Sequence, residues 1–150
     1  MRIVVQRVKK ASVSVGNNIS GEIDKGLLIF IGVGEEDTEE DVHWLSKKLM
    51  NLRIFNDFDG KMNLSLLDVK GEALLISQFT LYASTKKGNR PSFIKSADPV
   101  LGEKLYNYFI AYLKKEYKLN VASGIFGAMM DVDLINDGPV TIIMDSKNKE

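Results

Sequence analysis

Three short stretches hold the residues whose types and spacing could do chemistry. The first is Ser77-Gln78-Phe79-Thr80-Leu81, which follows the apolar run Ala73-Leu74-Leu75-Ile76. Polar side chains there mark either a strand end turning to solvent or the floor of a site. Thr80 is the obvious hydroxyl nucleophile, but a threonine in that role needs an activating base. The one histidine, His43, falls on a separate helical stretch beside its apolar stripe, and reads as a surface residue. A Ser-His-Asp triad or a multi-histidine metal centre would have to be built on that single residue. Cysteine is absent, which removes disulfides, thiolate catalysis and cysteine-based zinc or iron–sulfur sites. No metal or cofactor is expected.

The second stretch is Leu134-Ile135-Asn136-Asp137-Gly138-Pro139-Val140-Thr141-Ile142-Ile143-Met144. Two β-prone runs flank four turn-forming residues. From these residues alone a hairpin turn is the default reading. The sharper reading is a cis Gly138-Pro139 bond, found in about 5% of X-Pro bonds and mostly in tight turns. The third stretch, Ser84-Thr85-Lys86-Lys87-Gly88-Asn89-Arg90-Pro91-Ser92-Phe93, carries three positive charges and no acid. It is a solvated loop or a phosphate-contacting one.

The elements that must position these stretches follow from periodicity. Residues 1–8 and 10–15 read as strands, the second alternating Ala11, Val13 and Val15 against Ser12 and Ser14. Gly16-Asn17-Asn18 signals a hairpin. Residues 26–33 make an apolar run suited to a central strand buried on both faces. Thr38 caps a helix with Val42, Leu45, Leu49 and Leu52 as its buried stripe. Asn56-Asp57-Phe58-Asp59-Gly60-Lys61 is a turn whose acids stop too early for a calcium loop. Residues 72–82 are a long strand candidate. Asp98-Pro99 starts a second helix running to about Tyr117, with its aromatic residues assigned to the core. Residues 124–130 form a linker or the small-residue wall of a pocket, and 146–150 is a frayed tail.

Composition bounds the function class. The 150 residues suit one domain spanning 1–150. They are 45% hydrophobic and 27% charged, as in ordinary soluble proteins. Twenty basic residues balance twenty acidic ones, so any nucleic-acid contact must come from a local patch. No signal-peptide core or membrane-length apolar run is present, which is compatible with the cytoplasm and not with membrane association.

Taken in order, these segments resemble one family. Gln6-Arg7-Val8, Ala11-Ser12-Val13, Ser77-Gln78-Phe79-Thr80-Leu81, Lys87-Gly88-Asn89-Arg90-Pro91-Ser92-Phe93, Gly124-Ile125-Phe126-Gly127-Ala128 and Asn136-Asp137-Gly138-Pro139-Val140-Thr141 span nearly the whole chain. They are similar to the D-aminoacyl-tRNA deacylases of the common bacterial and eukaryotic type, such as D-tyrosyl-tRNA deacylase. The resemblance implies hydrolysis of the ester joining a D-amino acid to the 3′ end of tRNA, and removal of glycine mischarged onto alanine tRNA. It implies a mixed α/β domain, a β-barrel-like antiparallel or mixed sheet with two main helices outside, assembled as a homodimer. It puts the site at the dimer interface, with segment 77–81 of one subunit facing a cis Gly138-Pro139 turn of the other.

On that basis Ser77, Gln78, Phe79 and Thr80 are the expected catalytic group. Gly138, Pro139, Asn136 and Met129 are expected to bind substrate and filter its chirality. Arg7 is expected to brace the turn, and Lys86, Lys87 and Arg90 to meet tRNA phosphates. With no base near Thr80, hydrolysis assisted by the tRNA's own ribose hydroxyl is favoured. Rival readings are a small esterase independent of tRNA, a non-catalytic RNA- or protein-binding module, and a related deacylase with a trans turn that accepts small L-residues.

Overall fold

The computed structural model describes residues 1–149. Its spine is one long strand, β1 (Arg2–Val15), in place of the two short strands expected. β2 (Asn18–Ile23) folds back on it as the Gly16-Asn17 turn dictates. β3 (Gly26–Gly32) pairs with the first half of β1, Arg2 opposite Gly32 and Val8 opposite Gly26. α1 (Glu39–Asn51) follows, closed at its start by reciprocal bonds between Thr38 and Asp41. A small hairpin, β4 (Phe55–Asn56) and β5 (Met62–Leu64), precedes β6 (Glu72–Ser77). α2 (Pro99–Tyr117) starts where Asp98 accepts bonds from the Val100 and Leu101 amides. β7 (Val121–Ser123) and β8 (Asp131–Asp145) complete the chain.

β6 runs parallel to β3, and β7 parallel to β6, in a six-stranded sheet ordered β2-β1-β3-β6-β7 with β8 on the other edge of β1. The sheet curls until Gly21 of β2 meets the Ser123 backbone of β7, giving a nearly closed barrel. Alternation along the strands then makes two cores. Ile3, Val5, Leu27, Ile29, Ile31, Ala73 and Leu75 face the two helices, where Val42, Leu45, Leu49, Leu105 and Phe109 cover them. Val8, Val13, Leu28, Leu74 and Ile76 fill the barrel interior. Tyr106 is core, as expected, with its hydroxyl donating to the Leu75 carbonyl at 2.7 Å.

Three expectations change. The stretch from Asp131 to Asp145 is not a hairpin: both halves pair antiparallel with β1, which is long enough to hold partners on either side of the turn residues. The strand expected over residues 72–82 stops at Ser77, and Phe79–Tyr82 is a single turn of 3-10 helix. The tail is tied at its start: Ser146 is buried, its hydroxyl bonded to the Met1 amino group at 2.7 Å, and Lys147 reaches Asp41 at 2.9 Å.

Candidate active site

The turn after β6 is held from below. The Gln78 amide donates to the Ile31 carbonyl at 2.7 Å, and Ala83 closes the turn onto the Thr80 carbonyl at 3.0 Å. The turn sits directly on Gly32 of β3. A Cβ there would lie 2.9 Å from Leu81 Cβ and 3.0 Å from the Gln78 carbonyl oxygen, so only glycine admits this approach. Gln78 Nε2 donates to Thr80 Oγ1 at 2.5 Å, which orients both polar side chains together. The N–H groups at the start of such a turn have no partner within it.

Ser77, Gln78, Phe79 and Thr80 line one side of a cavity of about 740 Å³. Much of the remaining lining is apolar, including Phe93, Phe126, Ala128, Met129 and Met130. Phe79 is 57% exposed and meets Phe93 edge-on at 5.0 Å between centroids. Met129 therefore joins the group from Ser77 to Thr80. Phe126 and Met130 come from stretch 124–130, for which the sequence allows a pocket wall, and with Phe93 they are lining residues not named individually from the sequence. Their signal was available in the aromatic and methionine content of two otherwise polar or glycine-rich loops. The pocket combines flat apolar walls with a polar edge, which suits a ring system carrying a polar reacting group. His43 is remote in role: its Nε2 is 2.8 Å from the Tyr108 hydroxyl, between the two helices.

The Gly138-Pro139 segment is a separate construction. On β1, Gln6 pairs with Thr141 and Val8 with Asn136, so two steps on β1 face five on β8 and three residues bulge out. Asn136 clasps the base of the bulge, its Oδ1 accepting from the Val140 amide at 2.8 Å and its Nδ2 donating to the Val140 carbonyl at 3.3 Å. Arg7 braces it from inside. It follows Ile3 and Val5 on the helix-facing side of β1 and is 5% exposed. Its Nε donates to the Asp137 carbonyl at 2.8 Å, and its Nη1 to the Ile54 carbonyl and, at 3.4 Å, to Asn56 Oδ1. Gly138 has φ +146° and its bond to Pro139 is cis. Both residues are exposed.

Within one chain the bulge and the turn are not neighbours. The turn docks at the level of Gly32 and Arg2, the bulge at Arg7, about 17 Å further along β1 at 3.3 Å per residue. Gly138 and Pro139 are not among the residues lining the Thr80 cavity. Lys86, Lys87 and Arg90 stand exposed on a loop closed by paired bonds between Ser84 and Ser92, at 2.8 and 3.0 Å. Phe93 follows the loop directly and lines the cavity, whereas Lys86, Lys87 and Arg90 are not among its lining residues.

Comparison with known proteins agrees with this architecture. The D-Tyr-tRNA(Tyr) deacylase family profile matches residues 4–145. A D-aminoacyl-tRNA deacylase of Halothermothrix orenii is 58% identical, covering 100% of this chain and 99% of its own. One from Thermosipho melanesiensis is 56% identical over 98% of both chains. A solved structure named c-Myc DNA Unwinding Element Binding Protein superposes with a TM-score of 0.92 at 40% identity, covering 97% of this chain and 98% of its own. With a profile spanning nearly the whole sequence and relatives matched end to end, the chain belongs to the D-Tyr-tRNA(Tyr) deacylase family of ester hydrolases.

Proposed function

We propose that the protein hydrolyses the ester of D-aminoacyl-tRNA in the cytoplasm, releasing free D-amino acid and tRNA, and removes glycine from mischarged alanine tRNA. The terminal adenosine and its ester occupy the cavity beside Gln78, Phe79 and Thr80. The turn's N–H groups stabilise the oxyanion that forms as the ester carbonyl is attacked. Attack is assisted by the neighbouring ribose hydroxyl of the tRNA, since among the described residues none that lines the cavity beside Thr80 carries a side-chain base. Lys86, Lys87 and Arg90 hold backbone phosphates.

Chirality is filtered by backbone. D-amino acids and glycine share one feature: nothing occupies the L side-chain position at the α-carbon. A rigid main-chain wall placed there rejects L-residues by sterics and ignores the identity of the rest. The observation that carries this reading is the Gly138-Pro139 bulge, exposed at its tip yet clasped by Asn136 and braced by buried Arg7. Because the bulge does not line its own chain's cavity, it acts on the cavity of a second copy, in a homodimer whose two sites lie at the interface.

The test is a pair of time courses on D-tyrosyl-tRNA and L-tyrosyl-tRNA, with the wild type beside Gly138→Ala. A Cβ at Gly138 would meet the Val140 amide at 3.0 Å and Arg7 Nη2 at 3.1 Å, so that variant moves the wall. Fast loss of only the D-ester in the wild type, with a smaller D-to-L ratio in the variant, supports the reading. No acceleration by folded wild type refutes it.

A further inference from the structure

Arg2 connects the cavity turn to the end of the β1–β8 pair where Arg2 faces Asp145. Its Nη1 donates to the Leu81 carbonyl at 3.2 Å, its Nε to Asp145 Oδ2 at 2.8 Å, and its guanidinium lies 4.7 Å from the centroid of the Tyr82 ring. Tyr82, the last residue of the turn, is buried, and its hydroxyl donates to Asp37 Oδ2 at 3.4 Å. That hydroxyl fills the space over Gly34, where a Cβ would lie only 2.7 Å away. The turn is thus seated on β3 through Gly32, locked at its far end by Tyr82, and gripped at Leu81 by Arg2.

We propose that Arg2 is a positioning residue for ester hydrolysis, setting the orientation of the Phe79–Tyr82 turn and of the Phe79 and Thr80 N–H groups beside the cavity. The proposal rests on the deacylase reading of that cavity. A single 3-10 turn has poor hydrogen-bond geometry and little stability of its own, so its orientation depends on what its carbonyls bond to. The planar guanidinium is suited to holding it, because it reaches a carbonyl and a carboxylate in two fixed directions while stacking on a ring. The alternative is a surface ion pair contributing only to stability. Arg2 and Asp145 side chains are 40% and 19% exposed, and pairs this open add little to stability. A stability role therefore predicts little change on substitution, whereas a positioning role predicts a loss in kcat.

The experiment compares wild type with Arg2→Gln, Arg2→Lys and Asp145→Asn. Turnover of D-tyrosyl-tRNA is measured alongside hydrogen exchange of the Leu81 and Ala83 amides in the free protein. For Arg2→Gln, kcat is expected to fall about tenfold with KM within about twofold, as for a small displacement of positioned groups. Arg2→Lys and Asp145→Asn are expected to fall between it and wild type. Exchange at Leu81 and Ala83 quickens in step, while amides of β1 and β3 keep their rates. Wild-type kcat and exchange in Arg2→Gln overturn the proposal, as does a loss of activity matched by a general loss of melting temperature. Inactive wild type overturns the deacylase reading itself. The exchange rates need no substrate, so the two failures are distinguishable.

Discussion

Arg7 shows how much one side chain can decide. An arginine among the Ile and Val residues of a strand reads by itself as an edge charge, yet in the fold Arg7 is buried with its donors spread over Asp137, Ile54 and Asn56. Removing it leaves the buried Ile54 carbonyl without this donor, at a cost of about 1–3 kcal/mol. Thr80 is the opposite case, conspicuous in sequence but without a base. Its hydroxyl accepts from Gln78 and lies on the cavity edge. Thr80→Ala is accordingly expected to keep deacylation within about tenfold of wild type, because positioning is shared and no nucleophile is lost. Single-turnover rates on D-tyrosyl-tRNA check this, and near-complete loss in a folded variant would contradict substrate-assisted hydrolysis.

At the scale of elements, caps and acids are the readable devices. Thr38 and Asp98 announce the two helices in sequence, and both cap them in the structure. Asp41 has a second role that sequence does not show. Burial alone would raise its carboxyl, but hydrogen bonds from Ser146, Lys147 and the Thr38 amide outweigh this and hold it at about 2, against 3.8 ordinarily. The lowered value means Asp41 stabilises the fold above pH 4, and that contribution is lost as pH falls from about 4 toward 2. Asp41→Asn is expected to cost about 2 kcal/mol near pH 7 and little near pH 2. Melting temperatures of both proteins across that range test it; a gap independent of pH would contradict the assignment.

For the whole molecule, charge balance makes the basic loop informative. Net charge is zero, so attraction to tRNA has to be local. With Lys86, Lys87 and Arg90 on phosphates, log KM for charged tRNA is expected to rise with log salt at a slope of about 2 to 3. Replacing all three by alanine should flatten that slope toward zero and leave the D-to-L ratio unchanged. A wild-type slope near zero would remove the loop from the interface. Assembly adds a second expectation: the Gly138-Pro139 bulge and the Thr80 cavity lie about 17 Å apart along β1 within a chain, so activity is expected to require a dimer. Sedimentation across a dilution series, run beside the deacylation assay, checks it. Activity per chain that stays constant below the dissociation midpoint would refute the shared site.

What the sequence determined by itself was local and periodic. The buried β3 run, the helix stripes, the caps at Thr38 and Asp98 and the hairpin at Gly16-Asn17 all depend on neighbours within a few residues, and the structure forms them there. The ordered motifs also carried the family, because several short matches at fixed order in one chain are specific where each alone is weak. What only tertiary structure decided was pairing. Residues 136–139 have the composition of a reversing turn, but β1 extends past them and binds both flanks, so the same residues become a bulge with its tip exposed. The strand after Glu72 ends at Ser77 because Gly32 at the end of β3 and Gly34 just beyond it leave room for the Leu81 and Tyr82 side chains to settle there. Both outcomes rest on residues more than 40 positions away in the chain, and no local propensity can register a partner at that distance.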